Sequence, residues 1–429
     1  FCETTAKLGG ALAGINPLHH MFPADRKRVS PYQPSDRRFI DPIYIDIEPF
    51  DGSGGKQLRD LKHVDYAAVW QHKDQVLRRA FTAQSRSAAF ESFITASGAA
   101  LQSHATFESS AAPADARYAM WLQWIADKQL AAAAQRAEGA GLALGIYRDM
   151  ALGCAFDGGE VAERPELYAS TVSLGAPPDP FSADGQIWNL PPFNPLTLEA
   201  AKYQPFIDII RANMRHAGVL RIDHILGFFR QFWVPRGASG GDGAYVAAAL
   251  DTLIAITAIE SHRARCAVIG EDLGTVPDGL REAMARANIL SYRVLWFEQN
   301  ASGFQPMSTY PQSAAVCLSS HDLPPFKSWE ESASLDQLHK FDLTVAHEHA
   351  SGADRLERAH AMLAKTQSSL MLVQADDLSG ETEPLNVPGT DEERANWRRR
   401  LSVTVEDLST SEMAKRVTNA VAKQRPSDG

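Results

Sequence analysis

The sequence predicts an α/β protein, a (β/α)8 TIM barrel with helical insertions, and three observations carry that prediction. Seven short apolar runs recur along the 429 residues, most of them closed by a polar residue. Stretches of helix-forming residues lie between several of them. Side chains capable of chemistry gather at the ends of the apolar runs rather than inside them.

The runs are Ala11–Asn16 (ALAGIN), Leu142–Asp149 (LALGIYRD), Val219–Asp223 (VLRID), Ala267–Glu271 (AVIGE), Tyr292–Phe297 (YRVLWF), Ala315–Ser320 (AVCLSS) and Ser368–Val373 (SSLMLV). They are largely apolar rather than alternating, the pattern of parallel strands buried on both faces. Ala116–Ala140 is rich in good helix formers, has apolar residues at helical spacing, and leads into the second run. Leu198–Ala217 and Tyr245–Ala264 precede the third and fourth runs in the same way. Such alternation predicts a parallel sheet, open or closed. A closed barrel needs an eighth strand. Its expected place is upstream of Phe1, so the first strand is expected to be missing.

Two stretches interrupt the alternation. About 56–115 reads as an inserted helical subdomain with a Ser/Ala/Pro-rich patch at Ser109–Ala116, and about 334–365 as a smaller helical insertion. The barrel domain is thus expected over 1–401. A C-terminal tail follows over 402–429, polar from Ala414 and ending in RPSDG, and is expected to fray.

Composition narrows the function. The chain is 45% hydrophobic and 22% charged, ordinary for a globular protein, with a net charge of -10 and no basic block, which argues against a nucleic-acid partner. No run of eighteen apolar residues suggests a membrane span. Cys2, Cys154, Cys266 and Cys317 are scattered, with no C-x-x-C pair and no metal-ligand spacing. They read as reduced thiols of a cytoplasmic protein.

In a parallel barrel the active site lies at the carboxyl ends of the strands. The polar residues there are Asn16, Asp149, Asp223, Glu271, His321 and Asp322. A buried carboxylate must be paired, hydrogen-bonded or functional. A single strand-end acid is more often a cap or ion-pair partner; the signal lies in the order of several across successive strands. Retaining glycosidic chemistry needs such a set, with two carboxyls roughly 5–5.5 Å apart, one a nucleophile and the other acid then base. Arg221 lies two residues before Asp223, which on a strand places both on one face. A cation there keeps Asp223 ionised. Glu271 closes a more apolar strand, which suits a carboxyl that keeps its proton. His224 and Asp272 directly follow catalytic positions and are expected to point away.

Arg221–Pro235 (RIDHILGFFRQFWVP), Ile269–Val276 (IGEDLGTV) and Ser320–Leu323 (SHDL) resemble signatures of the 4-α-glucanotransferases, also called amylomaltases, of the α-amylase superfamily. Asn16–His19 (NPLH), Ser30–Pro34 (SPYQP), Gly175–Trp188 (GAPPDPFSADGQIW) and Asn386–Trp397 (NVPGTDEERANW) extend the resemblance from Ala11 to about Leu401. The resemblance implies Asp223 as nucleophile, Glu271 as general acid/base, and Asp322 as the carboxylate that holds sugar hydroxyls. It implies that Arg221 keeps the nucleophile charged, His321 hydrogen-bonds the same sugar, and Tyr32 stacks on the donor sugar. Asp149 and Asp157 fall where the family has acids near the site. Gln186 and Trp188 fall on an acceptor-touching loop, and Asn386 where a donor-side ligand lies. Trp188 also reads as loop packing, Tyr32 as a turn anchor and His321 as a core histidine. Trp296, Phe326 and Trp329 line subsites or pack, and Glu298 touches sugar or closes a strand.

The implied reaction moves an α-1,4-glucan segment to the 4-hydroxyl of an acceptor glucose or maltooligosaccharide, with retention. It requires no cofactor and no metal. Two alternatives stand beside it: a hydrolase of the same superfamily, and a truncated barrel that only binds glucan.

Overall fold

The computed structural model describes residues 1–52, 54–110, 115–178, 182–300, 303–345, 354–390 and 394–425. Parts of the Ser/Ala/Pro-rich patch, of the GAPPDPFSADGQIW and NVPGTDEERANW motifs, of the smaller helical insertion and of the RPSDG end lie outside the described residues. The chain forms two compact units. One comprises residues 1–13, 136–146 and 268–429, the other 14–135 and 147–267.

All seven predicted strands are present, as Leu12–Gly14, Gly145–Met150, Val219–Ile222, Ala267–Gly270, Ile289–Val294, Ala314–Cys317 and Leu370–Leu372. In the 14–135/147–267 unit, Gly145–Met150 pairs in parallel with Val219–Ile222, with Tyr147 opposite Val219 and Asp149 opposite Arg221. In the other unit, Ala267–Gly270, Ile289–Val294, Ala314–Cys317 and Leu370–Leu372 pair in parallel in chain order. Every residue of Val219–Ile222 and of Ala314–Cys317 is buried, which explains the apolar runs. The fifth strand starts earlier than its apolar run suggests and gives way at Leu295–Phe297 to a 3-10 turn.

Helices fill the expected intervals, with local changes. Ala116–Gly139 is one continuous helix. The predicted Leu198–Ala217 helix is two, Pro195–Ala200 and Gln204–Met214, because Lys202 and Tyr203 take positive φ. Only Leu250–Ala264 of the stretch Tyr245–Ala264 is helical. Ala244–Ala247 instead joins an antiparallel sheet with Val172–Ala176, Gln186–Ile187 and Arg230–Pro235. Its β-branched and aromatic residues favour a strand once a partner edge is available.

The inserted helical subdomain contains the Tyr66–Gln84 and Ala88–Glu108 helices, capped by Asp65 and Ser87. The second helix breaks at Gly98, whose φ is 60°. Both pack with Ile45, Ile47, Trp121 and Ile125 in one hydrophobic core.

The stretch set aside as a C-terminal tail carries the Val405–Leu408 and Glu412–Gln424 helices. Ala414, Val417 and Ala420 form an apolar stripe along the second, buried against the Arg355–Ala364 helix, and Arg425 bonds the carbonyl oxygens of Ala364 and Thr366. The polar face of that helix dominates its composition, which hides the stripe from a composition reading.

In this unit Asp377 is almost fully buried. One carboxyl oxygen accepts the Phe326 N–H at 2.9 Å, and the other has no protein partner. Burial pushes the carboxyl up to about 7. A carboxyl raised above its ordinary value holds a proton in the folded state that the unfolded chain has released. Its contribution to stability is therefore lost as pH rises from about 4 to 7. Thermal unfolding at pH 5 and pH 8 should show a smaller pH effect in Asp377→Asn than in the parent, by about 2–4 kcal/mol. Equal effects in both proteins would contradict the burial account.

Candidate active site

Asp149 ends one parallel strand and Arg221 lies on its neighbour, directly opposite in the register. Both are buried, and Arg221 Nη1 donates to the two Asp149 carboxylate oxygens at 2.8 and 2.9 Å. Arg221 Nη2 lies 3.0 Å from Asp223 Oδ1. One guanidinium thus serves two carboxylates. Burial alone would lower its pKa, but Asp149 and Asp223 outweigh that and hold it well above the ordinary arginine value. Tyr32 completes the group by donating its hydroxyl to Asp149 Oδ2 at 2.6 Å. Burial first, and the Asp149 charge second, hold the phenol protonated far above its usual range. The phenol is therefore fixed as a donor.

Asp223 is more open than Asp149 or Arg221, with its side chain 22% exposed. Its backbone N–H bonds Met150 O, and it faces a largely apolar pocket with Ile222, Phe228, Gln231 and Trp233. A carboxylate beside a fixed cation and accessible from one side can remain ionised and attack an electrophile.

Asp157 takes another partner. It is exposed and paired with Arg28 at 2.8 and 3.0 Å, and that pair lowers its pKa.

Gln186 and Trp188 meet on one loop, where Trp188 Nε1 donates to Gln186 Oε1 at 3.0 Å. Two residues left without a role by the sequence reading hold this loop. Gln33, next to Tyr32 in SPYQP, donates to Trp188 O at 2.7 Å. His224 meets the Trp188 ring edge-on, with centroids 5.0 Å apart. Strand alternation does not govern His224, because the strand ends at Ile222 and His224 is left-handed at φ 48°. Burial lowers the His224 pKa, against the pull of Asp223, and keeps the ring neutral. The adjacency of Gln33 to the motif tyrosine was the one available signal.

In the other unit Glu271 follows Ala267–Gly270, is 8% exposed, and accepts the Leu273 N–H at 2.9 Å. Asp272 is wholly buried and structural. It takes hydrogen bonds from Arg281, the Ser291 hydroxyl and the Tyr292 N–H. Asp322 is held on both oxygens, by Asn386 Nδ2 at 2.6 Å and His321 Nε2 at 3.2 Å. The His321 ring lies against Trp397, with centroids 5.5 Å apart. Glu298 pairs with Arg293 at 3.2 Å. Trp296, Phe326 and Trp329 pack together in a hydrophobic core.

The family model for 4-alpha-glucanotransferase matches residues 1–115 and 109–405. The chain belongs to the 4-alpha-glucanotransferase family. It is 32% identical to the 4-alpha-glucanotransferase of Haemophilus influenzae, over 96% of this chain and 73% of that protein, and 31% identical to the one from Mycobacterium tuberculosis, over 96% and 70%. The Haemophilus alignment runs over 511 positions, longer than this chain, so that relative carries segments this chain lacks between matched residues. The two family-model stretches meet at 109–115, inside the Ser/Ala/Pro-rich patch. The crystal structure of amylomaltase from Corynebacterium glutamicum superposes with a TM-score of 0.88 at 31% identity, over 98% of this chain and 71% of that one. Amylomaltase from Streptococcus agalactiae, at 18% identity, shares the fold with a TM-score of 0.85, over 99% and 94%. These likenesses establish the (β/α)-barrel fold class that the alternation of strands and helices predicts.

The Tyr32 hydroxyl separates two roles for that residue. If the hydroxyl orients Asp149, Tyr32→Phe lowers kcat/KM about tenfold or more, as expected on removing a hydrogen bond to a charged group. Unchanged kcat/KM in this variant would leave ring stacking as the whole contribution of Tyr32.

Proposed function

We propose that this 4-alpha-glucanotransferase transfers α-1,4-glucan segments to glucose or maltooligosaccharide acceptors by a retaining double displacement. The observation that carries this reading is the buried Arg221 bridging Asp149 and Asp223. It supplies what a carboxylate nucleophile requires, a permanent cation that cannot deprotonate.

Asp223 attacks the anomeric carbon of the donor, and the bond to the leaving glucan oxygen breaks. Glu271 gives that oxygen its proton. The acceptor 4-hydroxyl then loses its proton to Glu271 and displaces Asp223, so two inversions restore the α configuration. Asp322, fixed by Asn386 and His321, accepts hydrogen bonds from the hydroxyls of the distorted sugar. Trp188 and Gln186 contact the acceptor. In this reading Asp157 tethers the chain through Arg28 near the donor side and makes no contact with the reacting bond. No helix among the described residues is long and apolar enough to cross a membrane, and none of the four cysteines forms a disulfide. A reduced cytoplasmic location fits those thiols.

Maltotriose decides between transfer and hydrolysis. Transfer yields glucose together with a ladder of longer glucans. Glucose and maltose alone would replace this reading with hydrolysis, and no turnover would leave a binding module.

Asp223→Ala and Asp322→Ala should reduce kcat by about 10³-fold or more, as expected for groups that stabilise charge in the transition state. Glu271→Gln should cost about 10²–10⁴-fold, the usual worth of general acid–base catalysis. Activity within a few fold of the parent in any of the three would refute the role given to that residue.

A further inference from the structure

Two histidines and a glutamate meet in the helical part of the 14–135/147–267 unit, and the transfer reaction uses none of them. His104 and Glu108 lie four residues apart in the Ala88–Glu108 helix, which puts both on one face. His20 comes from the short His19–His20 strand, which pairs with Asp36–Ile40. One ligand atom from each residue can be chosen so that the three lie within 4.8 Å of one another. Both histidines are buried, each 2% exposed.

Three features set this cluster apart from an ordinary core contact. His104 Nδ1 is buried with no hydrogen-bond partner, which is costly for a polar atom in a packed interior. His20 Nε2 lies 3.0 Å from Glu108 Oε1 but outside hydrogen-bond alignment with it. The other His20 nitrogen, Nδ1, lies 3.5 Å from Ile40 O, the outer limit of a hydrogen bond. A ring that gives its Nδ1–H to a backbone carbonyl turns the Nε2 lone pair toward the carboxylate. A proton or a metal ion must then lie between them. That backbone carbonyl is also the usual second partner of a metal-bound histidine.

The surrounding charge favours a cation. Arg26 is committed to Asp41 at 2.8 Å, and Arg38 to Asp36 at 2.7 Å and to Glu163. Both arginines are thus committed to other carboxylates, and Glu108 faces the histidines. The unpartnered His104 nitrogen is open to a metal ion.

The geometry points to a structural zinc site formed by His20, His104 and Glu108. Two imidazoles and one carboxylate suit a borderline divalent ion such as Zn²⁺, and leave a fourth position for water. Bonds of about 2.0–2.1 Å at tetrahedral angles set ligand atoms about 3.3 Å apart. The cluster, spread over as much as 4.8 Å, therefore has to contract around the ion. The ion ties the helical insertion to the strand pair that flanks residues 21–35, the loop carrying Tyr32.

The test is made on the full chain, stripped with a chelator, incubated with ZnCl₂ and passed through a desalting column. The parent should retain about one zinc per chain by elemental analysis, the single-site stoichiometry. Its thermal midpoint should rise by several degrees over the stripped form. His20→Ala, His104→Gln and Glu108→Gln should each lose most of the bound zinc and the added thermal stability. Loading with Co²⁺ should give visible d–d bands that are absent in the variants. Circular dichroism of the stripped proteins checks folding. If His104→Gln does not fold, His20→Ala and Glu108→Gln carry the test. Retention of equal zinc by the parent and the folded variants would mean an adventitious ion on surface groups and would overturn the site. So would a parent that retains none.

Discussion

One buried guanidinium organises the carboxylate group of the 14–135/147–267 unit. Arg221 carries a charge that cannot be neutralised by proton loss, and it sits where water is largely excluded. Such a charge is tolerable only if carboxylates surround it, and it has two. Asp149 takes one edge of the fork through both its oxygens, and Asp223 takes the other. The two acids are not equivalent. Asp149 is buried and additionally bonded by Tyr32, whereas Asp223 keeps an exposed face. The geometry thus leaves one carboxylate enclosed and the other partly exposed. The parallel register is what permits this, because Asp149 lies directly opposite Arg221. A slip of one residue would send one of them to the other face of the sheet.

This explains why the strands and the carboxylates could be read from the sequence. Val219–Ile222 is apolar except for Arg221, and an arginine inside a buried strand signals a paired acid. Spacing of two placed Arg221 beside Asp223, and the structure has them in contact. Strand parity fails at His224, because the strand ends at Ile222. The chain instead turns left-handed there, and a ring expected to point away meets Trp188. Asp272, by contrast, closes a buried hydrogen-bond knot of backbone and side-chain donors.

What stayed hidden depends on long-range partners. The four-stranded antiparallel sheet assembles segments from Val172 to Ala247, and the short Gln186–Ile187 segment has no strand signal by itself. The role of Gln33 is a hydrogen bond to a backbone oxygen far along the chain, which no local pattern encodes. Tyr32 looked like a stacking aromatic because a ring is what a sequence motif displays. Its hydroxyl contact with Asp149 appears only when the two loops meet. The histidine–glutamate cluster escaped for a similar reason. Cysteine spacing carries no trace of it, because a helical pair is completed by a distant strand residue.

These long-range ties converge on the loop over residues 21–35, and its energetics follow from them. A loop of this length would cost considerable conformational entropy to order if it were held only at its ends. Instead it is anchored at its base, where Ser35 N–H bonds His20 O and Arg26 is locked to Asp41. Farther along, Gln33 joins it to the Trp188 loop and Tyr32 joins it to Asp149. The ordering cost is therefore met by contacts within the chain itself. The same anchoring couples fold to chemistry. Any change that loosens the base of the loop acts on Asp149 through Tyr32, and on Asp223 through the guanidinium that the two acids share.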